Sequence, residues 1–243
     1  PEHGRPRVGE GQLMSDKTPF ILVVSYGRTG STLLKEILNT DPRAEIQGEN
    51  GMALQGLMDV YESLVAADSQ KRDDPVSPWH THVDIPCALE NMELLIEGAL
   101  FRRPDAIKGF KDVGYRKMQT EDIRSFIGML ARIYDLTVIA NFRRDKRALL
   151  DSLRRAGHLT GTYDRRSTLA GLEAVEAAVV PRRETYRYTR IDYADLHDLD
   201  ALGEVFRVAG LEFNEFLVKQ VLATPHSNHN RPELTDEHGA VVV

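Results

Sequence analysis

The chain has 243 residues, 42% of them hydrophobic and 28% charged, a composition that excludes an intrinsically disordered protein. The formal net charge of −6 excludes a broad basic surface for nucleic acid or anionic membrane, so a basic site must be local and suited to a compact anion. The single cysteine, Cys87, excludes an internal disulfide and a thiolate-rich metal site.

The first residues are rich in glycine, proline and charge, so we expect residues 1–17 to form a flexible leader in which Met14 is a candidate natural start. The length of the remainder suits one continuous core, which predicts a single domain over residues 18–243. No apolar run approaches the roughly 20 residues that a membrane span needs, and residues 1–11 lack the apolar core of a signal peptide. We therefore expect a cytoplasmic protein.

The first predicted elements are a strand and two helices. A continuous apolar run over residues 20–25 is typical of a strand that is buried on both faces of a parallel sheet. Apolar residues then recur at helical spacing over residues 31–39, and Asp41-Pro42 is expected to end that helix. A second amphipathic helix is predicted over residues 52–67.

The next segment, residues 68–86, contains prolines and charges without periodicity, so it is either a lid over an active site or a plain connector. With the elements beside it, this segment belongs to a cap of helices and loops that is expected over residues 45–105. The shape of such a cap would decide which molecule enters the site beneath it.

The rest of the chain repeats the alternation of strands and helices. Strands are predicted over residues 106–110, 136–142 and 186–191. Helices are predicted over residues 88–101, 121–134, 173–180, 199–209 and 215–222, and after residue 147 through Leu149, Leu150, Leu153 and Ala156. This order predicts an α/β fold of three layers, α/β/α, with a central parallel sheet whose ligands bind outside the carboxyl ends of the strands.

A phosphate-binding loop is predicted between the first strand and the first helix, where the sequence reads Ser25-Tyr26-Gly27-Arg28-Thr29-Gly30-Ser31-Thr32. Such a turn aims backbone N–H groups and the positive end of a helix at one point, and Arg28 adds a guanidinium. Gly27 and Gly30 allow close approach, and Ser31 and Thr32 can donate hydroxyl groups. Because Gly30 is followed directly by Ser31 with no lysine, the loop is not a Walker A loop.

The segment from Gly27 to Leu33 resembles the P-[KR]-S-G-[ST]-T-L loop of the sulfotransferase family, with Gly27 in place of proline and Thr29 in place of serine. Members of that family transfer a sulfuryl group from 3′-phosphoadenosine 5′-phosphosulfate (PAPS) to an acceptor and release adenosine 3′,5′-bisphosphate (PAP). The resemblance implies a P-loop NTPase-like sulfotransferase fold and a reaction without a metal. It implies that the donor is bound by Arg28, Thr29, Gly30, Ser31 and Thr32.

A second family signature is a strand that ends in arginine, followed by a serine on the next helix. Arg144 and Ser152 match it, with Lys146 in place of the usual proline, and the resemblance implies that they bind the 3′-phosphate of the donor. Taken alone, the basic residues 143–147 would be a solvated start of a helix.

The catalytic residues implied by the resemblance come from the tyrosylprotein branch of the family. Glu49 in the segment Gln47-Gly48-Glu49-Asn50 is similar to the glutamate of that branch's G-E-E segment and is the first candidate for the base. Lys111-Asp112 is similar to its K-D-P segment, which makes Lys111 the candidate for stabilising the transition state, with Lys108 as its competitor. His80 and His82 in the possible lid are alternative bases.

Two further residues complete the implied donor site. Tyr193 lies in a segment similar to the family's Y-E-D-L, where a ring can stack on adenine, and Arg231 lies in a polar segment similar to its C-terminal loop. The expected acceptor is a hydroxyl or amine of a small molecule or of a carrier-bound group, with no nucleic acid or membrane partner. The alternatives are a P-loop kinase or nucleotide hydrolase, and a noncatalytic nucleotide-binding module.

Overall fold

The computed structural model describes residues 17–51, 53–69, 83–117, 120–159, 165–181 and 185–224. Most of the expected leader and of the possible lid lie outside these residues, as do His80, His82 and Arg231. Within the described ranges, no helix is both long enough and apolar enough to cross a bilayer.

The described residues form one parallel sheet of five strands in the order β2-β3-β1-β4-β5. The strands are β1 (Pro19–Ser25), β2 (Ala44–Gln47), β3 (Ile107–Asp112), β4 (Asp135–Phe142) and β5 (Arg187–Asp192). The helices are α1 (Ser31–Leu38), α2 (Ala53–Ser69), α3 (Ile85–Leu100), α4 (Thr120–Ile133), α5 (Lys146–Arg155), α6 (Arg165–Ala178), α7 (Leu199–Ala209) and α8 (Glu215–Ala223). Short 3₁₀ turns follow β3 and β5, at Gly114–Lys117 and Tyr193–Asp195.

The core has two halves, one on each face of the sheet, because successive side chains of a strand point to opposite faces. In β1, Phe20, Leu22 and Val24 pack with residues of α2 to α6. Ile21 and Val23 pack on the other face with residues of α1, α7 and α8. The predicted three-layer α/β/α fold with a central parallel sheet is therefore confirmed.

Two elements differ from the sequence-based expectation. β2 was not predicted, and as the edge strand of the sheet it takes in the first residues of the expected cap. Burial alternates along β2, with Ala44 and Ile46 buried and Glu45 and Gln47 partly exposed. Four residues are too few for this alternation to be recognised as a strand in the sequence. The other is α6, which begins at Arg165 instead of residue 173.

A buried carboxylate fixes the turn between α1 and β2. Asp41 accepts hydrogen bonds from the backbone N–H of Arg43 at 2.8 Å, from the Arg43 guanidinium at 2.6 Å, and from the backbone N–H of Glu212 at 2.6 Å. The turn that leads to the edge strand is thereby tied to the segment between α7 and α8.

Replacing Asp41 by asparagine is expected to lower the free energy of unfolding by about 2 kcal/mol at neutral pH. Burial by itself raises the pKa of Asp41, but hydrogen bonds from Arg43 and Glu212 outweigh burial and hold the pKa below its ordinary value of 3.8. The carboxylate therefore stabilises the fold fully above about pH 4, and its contribution disappears as the pH falls through the folded-state pKa. Urea unfolding of both proteins from about pH 7 to about pH 3 measures the difference, and a difference that does not shrink in acid would contradict the assignment.

Candidate active site

The predicted site residues that the structure describes lie at the carboxyl end of the sheet, because parallel strands all end on the same side. In the register of the sheet, Ser25 at the end of β1 is beside Asn141 of β4, and Asp112 at the end of β3 is beside Val24. Residues 26–30, which follow β1 and are called the anion loop below, are therefore flanked by the ends of β3 and β4.

The anion loop contains two residues in the left-handed backbone region and leads into the N-terminus of α1. Arg28 and Gly30 have positive φ angles of 71° and 75°, and Gly30 caps the N-terminus of α1 without a hydrogen bond from its side chain. The positive end of α1 is therefore not used by a capping side chain. Thr29 is fully buried, and its Oγ1 has no hydrogen-bond partner among the described residues.

The side chains that pack against residue 30 leave room only for glycine. A Cβ atom at this position would lie 2.4 Å from Cδ1 of Leu196 and 3.1 Å from Cδ2 of Tyr193. The ring of Tyr193 is 42% exposed, and the guanidinium carbon of Arg143 lies 4.4 Å from its centroid. Tyr193 therefore lies beside the anion loop, where its ring and the Arg143 guanidinium form a surface on which a planar base can stack.

Arg28 is joined to the helix that follows β4. Its Nε donates a hydrogen bond to Oγ of Ser152 at 3.1 Å, and Leu153 on the same helix would lie 3.4 Å from a Cβ atom at Gly27. Packing of α5 against the anion loop thus carries Ser152 toward the arginine of that loop.

Arg144 is held by two carboxylates near the end of β5. Its backbone N–H donates to Oδ2 of Asp192 at 2.7 Å, its Nε lies 3.3 Å from the same oxygen, and its Nη2 donates to both oxygens of Asp195 at 2.9 Å. Across the residues with described coordinates, no hydrogen bond joins Arg144 to Ser152. Two carboxylates at the end of β5 therefore hold this guanidinium, and Ser152 lies with Arg28.

Glu49 and Lys111 form an ion pair at the ends of β2 and β3. The Nζ atom of Lys111 donates to Oε1 of Glu49 at 2.5 Å. The lysine side chain is 6% exposed and the glutamate side chain 49% exposed, so solvent and an acceptor can reach the carboxylate. Lys108 is excluded from this cluster because its Nζ lies 2.7 Å from Oε2 of Glu97, near the opposite end of β3.

Several buried polar atoms at this edge were not recognised from the sequence. The side chain of Asn141 is fully buried, and neither its nitrogen nor its oxygen has a partner in the described part of the chain. Both amide atoms of the Asn50 side chain and Oδ2 of Asp112 are also buried without a hydrogen-bond partner among the described residues. Buried polar atoms are costly unless they are paired, so their concentration at one edge indicates a site for a polar ligand. An asparagine inside the otherwise apolar run of β4 was the available signal.

The described residues contain no group of three or more histidine, cysteine, aspartate or glutamate side chains that could hold a metal ion. Three carboxylates at this end of the sheet pair with cations of the protein: Asp192 and Asp195 with Arg144, and Glu49 with Lys111.

Similarity to the chain was found among solved structures and not among family models or curated sequences. No family model and no curated protein matches the sequence. Among solved structures, the chain is similar to the sulfotransferase domain of the olefin synthase of Synechococcus PCC 7002, with a TM-score of 0.53 and 18% identity over 83% of this chain and 77% of that domain.

Lower structural scores were found for two other proteins. A sulfotransferase domain from the curacin biosynthetic pathway has a TM-score of 0.49 and 16% identity, over 87% of this chain and 80% of that domain. A sugar kinase from Janibacter sp. HTCC2649 has a TM-score of 0.41 and 11% identity, over 80% of this chain and 95% of the kinase. The likeness to the olefin synthase domain establishes the class of fold: the chain has the α/β fold of sulfotransferase domains.

Proposed function

We propose that the protein is a sulfotransferase that uses PAPS as donor and a hydroxyl or amine of a small-molecule or carrier-bound group as acceptor. The observation that carries the proposal is the Glu49–Lys111 ion pair at the same sheet edge as an anion loop that lacks a Walker lysine. A base and a buried cation beside an anion site are what transfer to a hydroxyl group requires.

The residues of the anion loop fit the 5′ end of the donor. Arg28, Thr29, Gly30, Ser31 and Thr32 would bind the phosphosulfate through backbone N–H groups, hydroxyl groups and one guanidinium. The buried and unpaired Oγ1 of Thr29 and the uncapped N-terminus of α1 support this assignment.

The neighbouring loop fits the other end of the donor. Arg144 and Ser152 would bind the 3′-phosphate, with the Tyr193 ring beside the adenine. Since Ser152 already accepts a hydrogen bond from Arg28, its hydroxyl links the two anion-binding loops. The carboxylates of Asp192 and Asp195 fix the direction of Arg144 before any ligand arrives, which reduces the entropy that binding costs.

The proposed chemistry assigns one task to each catalytic residue. When bound, PAPS supplies the sulfuryl group. Glu49 accepts the proton of the acceptor, whose freed electron pair forms the new bond to sulfur. Lys111 and Arg28 stabilise the negative charge that develops on the 5′-phosphate oxygen as its bond to sulfur breaks. The ion pair with Lys111 also directs the Glu49 carboxylate before the acceptor binds.

Titration calorimetry with PAP, with ATP and with ATP plus Mg²⁺ tests the proposal. We expect PAP to bind at least about tenfold more tightly than ATP, because only PAP presents a phosphate to each of the two loops. Mg²⁺-dependent binding of ATP with no binding of PAP would instead favour the P-loop kinase. Arg28→Met should weaken PAP binding, whereas Arg154→Met, which removes an exposed arginine on α5, should leave it unchanged.

A further inference from the structure

A buried polar cluster lies directly behind the anion loop, and the proposed chemistry does not use it. Its centre is Tyr26, the first residue of the loop, whose side chain is fully buried and whose ring stacks on Phe142 at 5.1 Å between centroids. The phenol donates a hydrogen bond to Oε1 of Glu176 at 2.7 Å. Its oxygen accepts from Nζ of Lys146 at 2.5 Å and from the backbone N–H of Arg143 at 3.4 Å.

The charged side chains of this cluster pair with one another. Glu176 on α6 forms ion pairs with Lys146 at the start of α5 and with Arg190 of β5, the latter at 3.3 Å. Nζ of Lys146 also donates to the backbone carbonyl of Arg143 at 2.9 Å. The Glu176 side chain is 17% exposed and the Lys146 side chain 23% exposed, so both are largely removed from water. Lys146 is therefore held by internal partners and is turned away from a ligand.

Four elements of the molecule meet at this cluster. Tyr26 belongs to the anion loop, Arg143 and Lys146 to the segment from the end of β4 to the first residue of α5, Glu176 to α6, and Arg190 to β5. The first two segments are the ones that carry the two proposed phosphate sites. The phenol of Tyr26 and the carboxylate of Glu176 therefore join these two segments, in addition to the pairing of β1 with β4 and the Arg28–Ser152 hydrogen bond. These contacts also account for Lys146, which stands at the proline position of the signature that residues 144–152 resemble.

We propose that Tyr26, Lys146 and Glu176 are positioning residues that fix the spacing between the anion loop and the loop of Arg144. The inference rests on the proposed function, since the spacing matters only for a nucleotide with phosphates at both ends. Burial and the neighbouring Glu176 raise the pKa of Tyr26, so the phenol keeps its proton and remains a donor at working pH. A ligand that occupies only one loop does not depend on the spacing.

Titration calorimetry with PAP and with adenosine 5′-monophosphate, which has no 3′-phosphate, tests the inference. Glu176→Gln keeps the size of the side chain but leaves Lys146 and Arg190 without a countercharge. It should weaken PAP binding about tenfold and change binding of the monophosphate less than about twofold. Tyr26→Phe, which removes only the hydroxyl, should give a smaller loss of the same selectivity and serves if Glu176→Gln does not fold. The matched control is Glu173→Gln, an exposed glutamate on the same helix.

The outcomes separate the two proposals. A selective loss of PAP affinity supports a positioning role. An equal loss for both nucleotides, or a lower melting temperature with unchanged PAP affinity, would mean that the cluster only stabilises the fold and would overturn the inference. If the wild-type protein does not bind PAP at all, the proposed function itself is wrong and the inference is overturned with it.

Discussion

Replacing Glu49 by glutamine is expected to lower the turnover number by about 10²- to 10⁴-fold, the range that general base catalysis contributes. Glutamine has the size of glutamate, and its amide oxygen can still accept the hydrogen bond from Lys111. It cannot take up the proton of an acceptor hydroxyl. The variant should therefore lose catalysis without losing affinity for PAP.

Release of PAP from PAPS in the presence of a panel of phenols, alcohols and amines measures this effect. Glu90→Gln is the matched control because Glu90 is exposed on α3, and it should retain the wild-type rate. An unchanged rate in Glu49→Gln would reject Glu49 as the base. Tight PAP binding by the wild-type protein without turnover on any acceptor would favour a noncatalytic binding module.

The position of Lys111 gives the Glu49 experiment a second use. Lys111 is largely buried, and Glu49 is its ion-pair partner in the structure. Glutamine at residue 49 leaves the ammonium without a countercharge, so a bound anion should be attracted more strongly. A modest gain in PAP affinity alongside the loss of turnover would separate the two roles, proton acceptance by Glu49 and charge stabilisation by Lys111.

The parts of the fold that sequence patterns predicted well are those with strong local signals. β1 is a continuous apolar run, and α7 has regular helical spacing between an N-cap at Asp198 and a C-cap at Gly210, so both were placed almost to the residue. β2 has only four residues and depends on its pairing with β3, which is not visible in local sequence. Its existence is a property of the assembled sheet.

Local sequence likewise predicted some parts of the candidate site and not others. The anion loop was predicted because its glycines and hydroxyl residues lie together in sequence between a strand and a helix. The sequence favoured Lys111 over Lys108 because Lys111 follows the predicted strand, and in the structure the two lysines pair with different glutamates toward opposite ends of β3. The contacts of Ser152 with Arg28 and of Arg144 with two aspartates depend on how the assembled elements pack, and no local pattern predicts them.

Replacing Gly109 by alanine is expected to lower the free energy of unfolding by about 3 kcal/mol, near the upper end of what overpacking usually costs. Gly109 lies in β3, paired with Ile21 of β1 on one side and with Ile46 of β2 on the other. A Cβ atom at this position would lie 2.3 Å from the backbone oxygen of Ile21 and 2.8 Å from Cδ1 of Ile46. The isoleucine side chain can turn away, but the carbonyl belongs to the central strand, so the two strands must move apart.

The control for this substitution is Gly128→Ala. Gly128 lies in the middle of α4, and a Cβ atom there meets nothing within 4 Å. Alanine should therefore stabilise the helix by about 0.5 to 1 kcal/mol. Urea unfolding measures the free energy of unfolding of both variants, which should fall for Gly109→Ala and rise for Gly128→Ala. Equal stability of Gly109→Ala and the wild type would contradict the close approach of β3 to β1. Because Lys111 lies two residues beyond Gly109 on the same strand, a shift of β3 should also displace its ammonium from Glu49 and lower turnover beyond the loss of stability.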